Sequence, residues 1–163
     1  MKNIAVLLMT KPQNGGEHQY LELMMDGLLK ENRKKYYIVA ICCNNYWRKW
    51  CVKNNVNYEV YQERTYELDE MKWHACHPNI SALYHMFYTR LCKMITKKKI
   101  QILICGQQGI FLPKLPCKII CLVHDLMHRY EGKFAEIATT YEVRETIFSW
   151  VSKIADVIIR SSR

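Results

Sequence analysis

The chain has 163 residues, of which 50% are hydrophobic, and it carries a formal net charge of +9 at pH 7. This length predicts a single domain, because domains commonly hold about 100–200 residues, and the apolar content excludes a disordered chain. Apolar runs such as residues 4–9 are far shorter than the ~18 residues of a membrane span, and the N-terminus lacks a secretory signal pattern. We therefore expect a soluble or peripheral protein of the cytoplasm.

The first elements predict a strand, a glycine loop and a helix. Residues 3–9 form an apolar run typical of a buried strand, residues 10–16 are rich in turn formers, and residues 17–32 carry apolar side chains at helical spacing. Gly15 and Gly16 stand at the start of this helix, where exposed N–H groups and the lack of side chains let an anion approach. The loop is therefore a candidate binding element.

The next pattern disfavours a dinucleotide site. Such a site would have GxGxxG in the first loop and an acidic residue after the second strand. Here the first loop has only the adjacent pair Gly15 and Gly16, and the predicted second strand, residues 36–43, is followed by Asn44 and Asn45. Residues 46–55 then read as a helix whose stripe, including Trp47, is expected to pack on the sheet, and residues 57–61 read as a short third strand.

The middle of the chain loses regular periodicity over residues 62–79. His74, Cys76 and His77 in this stretch are metal-ligand types, but no fourth ligand follows at zinc-finger spacing, so a metal site is not favoured. Apolar residues return at helical spacing and predict one helix over residues 79–97.

The second half repeats the alternation of strand and helix. Residues 100–105 predict a fourth strand followed by a second glycine loop at 106–109, residues 118–123 a central strand buried on both faces, residues 134–155 a long helix, and residues 156–159 a sixth strand. Alternation of this kind predicts an α/β, Rossmann-like three-layer domain with a mainly parallel sheet. Ligands of such sheets bind beyond the carboxyl ends of the strands, so we place the site there.

Ionisable residues follow the strand at 118–123 directly. His124 comes first, and Asp125, His128 and Arg129 complete a group of four within six residues. Because this group lies at the predicted ligand edge, we expect His124 to be functional and the other three to orient it or to bind substrate. Asp125 and Arg129 could instead pair with each other.

The cysteines and the basic clusters can be explained without a functional site. Six of the eight cysteines lie in or beside apolar patterns and predict buried, free thiols: Cys42, Cys43, Cys92, Cys105, Cys117 and Cys121. A zinc site built from Cys117 and Cys121 is rejected, because two residues four apart on a strand lie about 13 Å from each other at roughly 3.3 Å per residue. The basic clusters around residues 30–35 and 97–99 fit either an anionic partner or solvated helix ends.

Three segments resemble a known family. VHDLMHRY at residues 123–130, GGEHQ at residues 15–19 and SKIADVII at residues 152–159 occur in the order found in the N-terminal domain of GT-B fold glycosyltransferases of family 4. The resemblance implies a retaining hexosyltransferase of polysaccharide biosynthesis, in which residues 1–163 form the acceptor-binding domain. A C-terminal donor domain, absent from this chain, would bind the nucleotide sugar, so the isolated chain is expected to be inactive.

The resemblance also assigns roles to residues. His124 would be catalytic and contact the transferred sugar, Gly15 and Gly16 would approach the diphosphate and the acceptor, and Asp125, His128 and Arg129 would bind substrate. It implies no cofactor and no metal, with a nucleotide-sugar donor and a glycan or lipid-linked acceptor as partners. The basic clusters suggest an anionic membrane surface as a further partner. The alternatives are a non-catalytic Rossmann-like module for a phosphorylated ligand and a basic nucleic-acid binder; no recognised motif supports the latter, so nucleic acid is not expected.

Overall fold

The computed structural model describes residues 2–32, 35–62, 65–108, 110–112, 114–124 and 140–160. Within these ranges the chain forms one six-stranded sheet with helices on both faces. The strands are β1 (Lys2–Leu8), β2 (Tyr36–Cys42), β3 (Asn57–Val60), β4 (Ile102–Cys105), β5 (Lys118–Val123) and β6 (Val157–Arg160). The helices are α1 (Gly16–Asn32), α2 (Asn45–Lys53), α3 (Leu68–Cys76), α4 (Pro78–Tyr88), α5 (Arg90–Lys97) and α6 (Tyr141–Ile154), and a 3₁₀ turn covers Pro12–Asn14.

The sheet has the order β3-β2-β1-β4-β5-β6, and all five strand pairs are parallel. This confirms the predicted α/β, Rossmann-like three-layer architecture. The middle of the sheet is formed by β1 and β4, whereas β5 lies between β4 and the edge strand β6, so β5 is not the central strand that the sequence predicts. Its bounds are nevertheless those predicted, and Ile119, Cys121 and Leu122 are buried.

Alternate residues of the strands supply two hydrophobic cores, one on each face. On β1, Val6 and Leu8 face α1 and α2, while Ala5 and Leu7 belong to the core on the other side. Trp47 is fully buried in the α1–α2 core, which confirms that the aromatic stripe of α2 packs on the sheet. Helices α5 and α6 close the opposite core with their apolar stripes, namely Leu91, Ile95, Ile147, Trp150, Val151 and Ile154.

The secondary structure predicted for the middle of the chain is wrong in two places. The stretch of residues 62–79 contains α3, whose stripe escaped detection because one of its two buried residues is a histidine, His74. The helix predicted over residues 79–97 is two helices separated at Thr89, whose backbone is extended and whose hydroxyl accepts the Cys92 N–H at 3.3 Å. The apolar spacing continues across this break, so periodicity does not reveal it.

The predicted cysteine burial holds for Cys42, Cys92, Cys105 and Cys121, while Cys43 and Cys117 are half-buried. Cys105 and Cys121 are register partners on β4 and β5. Their hydrogen bond, together with burial, raises the pKa of the Cys105 thiol well above its usual value. That thiol is therefore neutral at physiological pH.

The long helix predicted over residues 134–155 is described from Tyr141 onward, as α6, and residues 125–139 lie outside the described ranges. In the part of the chain that the structure covers, no helix combines the length and the apolar character needed to cross a membrane.

Candidate functional site

A cleft of about 640 Å³ lies at the carboxyl edge of the sheet. One wall is the first turn of α1, the floor is the ends of β4 and β5, and the other wall is the N-terminal half of α6. Parallel strands bring these ends to one edge, which is why residues distant in sequence meet here. The lining residues are Gly16, Glu17, Tyr20, Gln108, His124, Thr140, Val143, Arg144, Ile147 and Phe148.

His124 is the first residue after β5, and it is held from three directions. Its backbone N–H donates to Oε1 of Gln108 at 2.8 Å, and its ring Nε2 lies 3.2 Å from the carbonyl oxygen of Gly106. The ring of Tyr20 meets it edge-on, with centroids 5.2 Å apart. Because a carbonyl oxygen only accepts hydrogen bonds, this contact places a proton on Nε2 of the His124 ring.

Glu17 and Gln108 connect the helix to the strand ends. Oε1 of Glu17 accepts the backbone N–H of Gln108 at 2.9 Å, and Gln108 in turn accepts the N–H of His124. The Glu17 carboxylate stands in the first turn of α1, where the helix dipole favours a negative charge. This chain of hydrogen bonds fixes the position of His124 relative to α1.

The three glycines at the site differ in backbone conformation and in what a side chain would meet there. Gly15 has φ +58° and therefore a backbone that side chains disfavour. Gly16 begins α1 and lines the cleft, with open space where a Cβ would stand. At Gly106 a Cβ would lie 2.4 Å from Cδ2 of Leu21, so this glycine lets α1 pack directly over the end of β4.

The structure brings two of the predicted site residues, Gly16 and His124, into one cleft, with Gly15 in the turn before it. Asp125, His128 and Arg129 lie outside the described residues, as does Gly109. Sequence reasoning missed the lining residues Glu17, Tyr20, Gln108 and Arg144. Gln108 had a usable signal, since it sits in the second glycine loop at the predicted edge.

A second polar cluster supports the loop after β1. His18 is buried, with Nδ1 3.1 Å from the Thr10 hydroxyl and its ring 4.6 Å from that of Tyr46. Nε1 of Trp47 donates to the Thr10 carbonyl at 2.8 Å, and Nδ2 of Asn44 donates to the same carbonyl at 3.0 Å. These contacts anchor the loop that carries the glycine pair.

Of the three metal-ligand types at residues 74–77, His74 and His77 make ring contacts, and Cys76 is exposed. His74 is buried, its ring lies against those of Tyr66, Trp73 and Phe111, and its Nε2 is 3.6 Å from Glu70. His77 stacks on Trp73. Among the residues that the structure describes, no group of three or more His, Cys, Asp or Glu is arranged to hold a metal ion.

Comparison of the chain with protein-family models and with curated proteins finds no match. The cleft itself offers a positioned imidazole, the positive end of a 17-residue helix, a guanidinium and apolar wall surface from Val143 and Phe148. Such a combination suits a ligand that carries both polar oxygens and an apolar face.

Proposed function

We propose that this chain is the acceptor-binding N-terminal domain of a retaining GT-B glycosyltransferase, acting on a nucleotide-sugar donor and a glycan or lipid-linked acceptor. The observation that carries the proposal is the placement of His124 at the end of β5, in one cleft with Gly16 at the start of α1. These are the positions that the resemblance of VHDLMHRY and GGEHQ assigns to the reaction centre. The all-parallel sheet is the scaffold such a site requires.

In this proposal His124 contacts the sugar being transferred and stabilises charge that develops there. The Gly106 carbonyl and Tyr20 fix the plane of its ring, so the contact is made without reorganisation. Gly16 and the turn at Gly15 let an anionic group of the donor approach the N-terminus of α1. No metal or organic cofactor has a role in this scheme.

In this proposal a separate donor-binding domain faces the cleft and holds the nucleotide sugar. Glycosyl transfer needs donor and acceptor held together, and one domain provides only part of that positioning. The 163-residue chain by itself is therefore expected to fold but not to transfer sugar. We place the complete enzyme in the cytoplasm, peripheral to the membrane where a lipid-linked acceptor would be found.

The test is to incubate the purified chain with a panel of nucleotide sugars and glycan or prenyl-phosphate acceptors, with and without a donor-binding domain in trans. Transfer is expected only when the second domain is present. Robust transfer by the chain alone would contradict the proposal that a second domain is needed to bind the donor. Ligand binding without turnover in either arm would favour the alternative, a non-catalytic module for a phosphorylated ligand.

A further inference from the structure

Arg144 is a cation in the cleft that the proposed function leaves without a role. It lies one turn into α6, where its backbone N–H donates to the Thr140 carbonyl at 3.0 Å, and its half-buried side chain lines the cleft together with His124 and Gly16. The neighbouring Glu142 turns the other way and pairs with Lys72 on α3.

Among the residues that the structure describes, no carboxylate forms an ion pair with the Arg144 guanidinium. In the described part of the chain, the ion pairs are Lys72–Glu142, His74–Glu70 and Lys98–Glu59, and none involves Arg144. Of the described residues that line the cleft, Glu17 on the α1 wall carries a carboxylate, and one oxygen of this carboxylate accepts the N–H of Gln108. A guanidinium that has lost part of its hydration gains most from a ligand with a negative charge.

The remaining surroundings favour an anion as well. Across the cleft stands the N-terminus of α1, where Gly16 has no side chain and leaves open space beside the Glu17 carboxylate. Val143 and Phe148 flank Arg144 on α6 and offer apolar surface to an uncharged part of the same ligand. A planar guanidinium can donate two parallel hydrogen bonds to the oxygens of a carboxylate or a phosphate.

We propose that Arg144 binds an anionic group of the acceptor, a phosphate or a carboxylate, and thereby selects charged acceptors over neutral ones. The assignment to the acceptor rests on the proposed function, whereas the anion site itself does not. A sugar phosphate, a sugar acid and a prenyl phosphate all present this chemistry, and they differ in the uncharged part of the molecule that is attached to the charged group. Arg144 is thus a specificity residue on the wall opposite α1.

Binding to the purified chain tests the inference without any transfer reaction. The probes are a hexose, the matching hexose 6-phosphate, the matching hexuronate, a short-chain prenyl phosphate and a nucleoside diphosphate, titrated by calorimetry or by NMR. We expect the charged acceptor probes to bind at least tenfold more tightly than the neutral hexose. The charged probe whose affinity exceeds that of the neutral hexose by the largest factor identifies the kind of anionic acceptor.

Variants assign the effect to the side chain. Arg144→Gln is expected to remove the tenfold preference, and Arg144→Lys to retain part of it, because the charge remains while the paired hydrogen bonds are lost. Arg90→Gln, an equal change of charge at an exposed position on α5, is the control and should bind like the wild type. Unchanged thermal unfolding excludes misfolding as the cause.

Three results would overturn the inference: equal affinity for neutral and charged sugars, no effect of Arg144→Gln, or a loss confined to the nucleoside diphosphate, which would move Arg144 to the donor. Its failure is distinct from failure of the proposed function. Transfer to neutral acceptors would support the proposed glycosyltransferase function and exclude the preference for anionic acceptors. Arg144-dependent anion binding without transfer in the two-domain assay would support the anion site and contradict the glycosyltransferase function.

Discussion

Two kinds of residue build the cleft, and only one kind is visible in the sequence. Gly16 and His124 could be predicted because each follows a strand pattern at the edge where parallel sheets bind ligands. Gln108 had a weaker signal, its place in the second glycine loop at the same edge. Glu17 and Arg144 had none, because their roles depend on how two helix termini meet the strand ends in space. Periodicity reports which face of an element is buried, and it contains no information about such convergence.

Gly106 gives a test of the packing that positions His124. A Cβ at this position would come within 2.4 Å of Leu21 Cδ2 and 3.2 Å of Leu21 Cγ, and Leu21 is fully buried and cannot swing away. Gly106→Ala is therefore expected to lower the free energy of unfolding by about 1–3 kcal/mol through overpacking. Urea unfolding measures this difference.

Gly27 provides the matched control, because it lies within α1 and a Cβ there would meet nothing within 4 Å. Gly27→Ala should leave stability unchanged or raise it by up to about 1 kcal/mol, since alanine favours the helix. Equal effects of the two substitutions would show that α1 does not pack closely over the end of β4.

At the scale of elements, the sequence predicts strands better than it predicts the connections between helices. The bounds of β5 are those predicted, since a short apolar run flanked by polar residues leaves little ambiguity. Helix α3 was missed because His74 occupies a core position that polar residues rarely fill. The break at Thr89 depends on a local cap and an extended backbone, and apolar spacing reports neither.

A hydrogen bond between Tyr46 of α2 and Glu22 of α1 links the two helices that cover one face of the sheet. It raises the pKa of Tyr46 to about 12, because the Glu22 carboxylate accepts a hydrogen bond from the neutral phenol and repels the phenolate. The folded pKa lies above the unfolded one, so the link stabilises the fold below pH about 10 and is lost as the pH rises toward 12.

Replacing Glu22 by Gln should therefore return the Tyr46 titration toward the ordinary tyrosine value of about 10. NMR of labelled tyrosine ring carbons follows this resonance directly, with Asp26→Asn on the same helix as the control. A Tyr46 titration that is the same in the wild type and in Glu22→Gln would show that the two side chains do not interact in solution.

At the scale of the whole molecule, the topology separates the basic clusters from the cleft. Helices of this fold end at the amino edge of the sheet, so Lys30 at the end of α1 and Lys97 at the end of α5 lie opposite the cleft. Contacts at that edge agree, since Asn3 at the start of β1 donates to the Lys98 carbonyl at 3.0 Å. A bilayer that met these lysines would face away from His124. A membrane role through these clusters is thus a separate proposal from acceptor binding.

The fold class followed from the alternation of strand and helix, because each strand–helix unit buries its own apolar face on a common sheet. Strand order did not follow, since nothing in the local pattern says that β4 adds beside β1. The function is harder to predict from the sequence than the fold, because the same type of sheet supports many chemistries and only the site distinguishes among them. The role of His124 therefore needs a direct chemical test.

The most direct test is the rate of sugar transfer by His124→Ala, measured with the chain supplied with a donor-binding domain. We expect turnover at least tenfold below the wild type with an unchanged circular dichroism spectrum, because in the proposed function His124 contacts the reacting sugar, and because its side chain lines the cleft and does not belong to the buried core. His77→Ala, which removes an exposed imidazole stacked on Trp73, should keep wild-type turnover. Wild-type turnover in correctly folded His124→Ala would contradict the account.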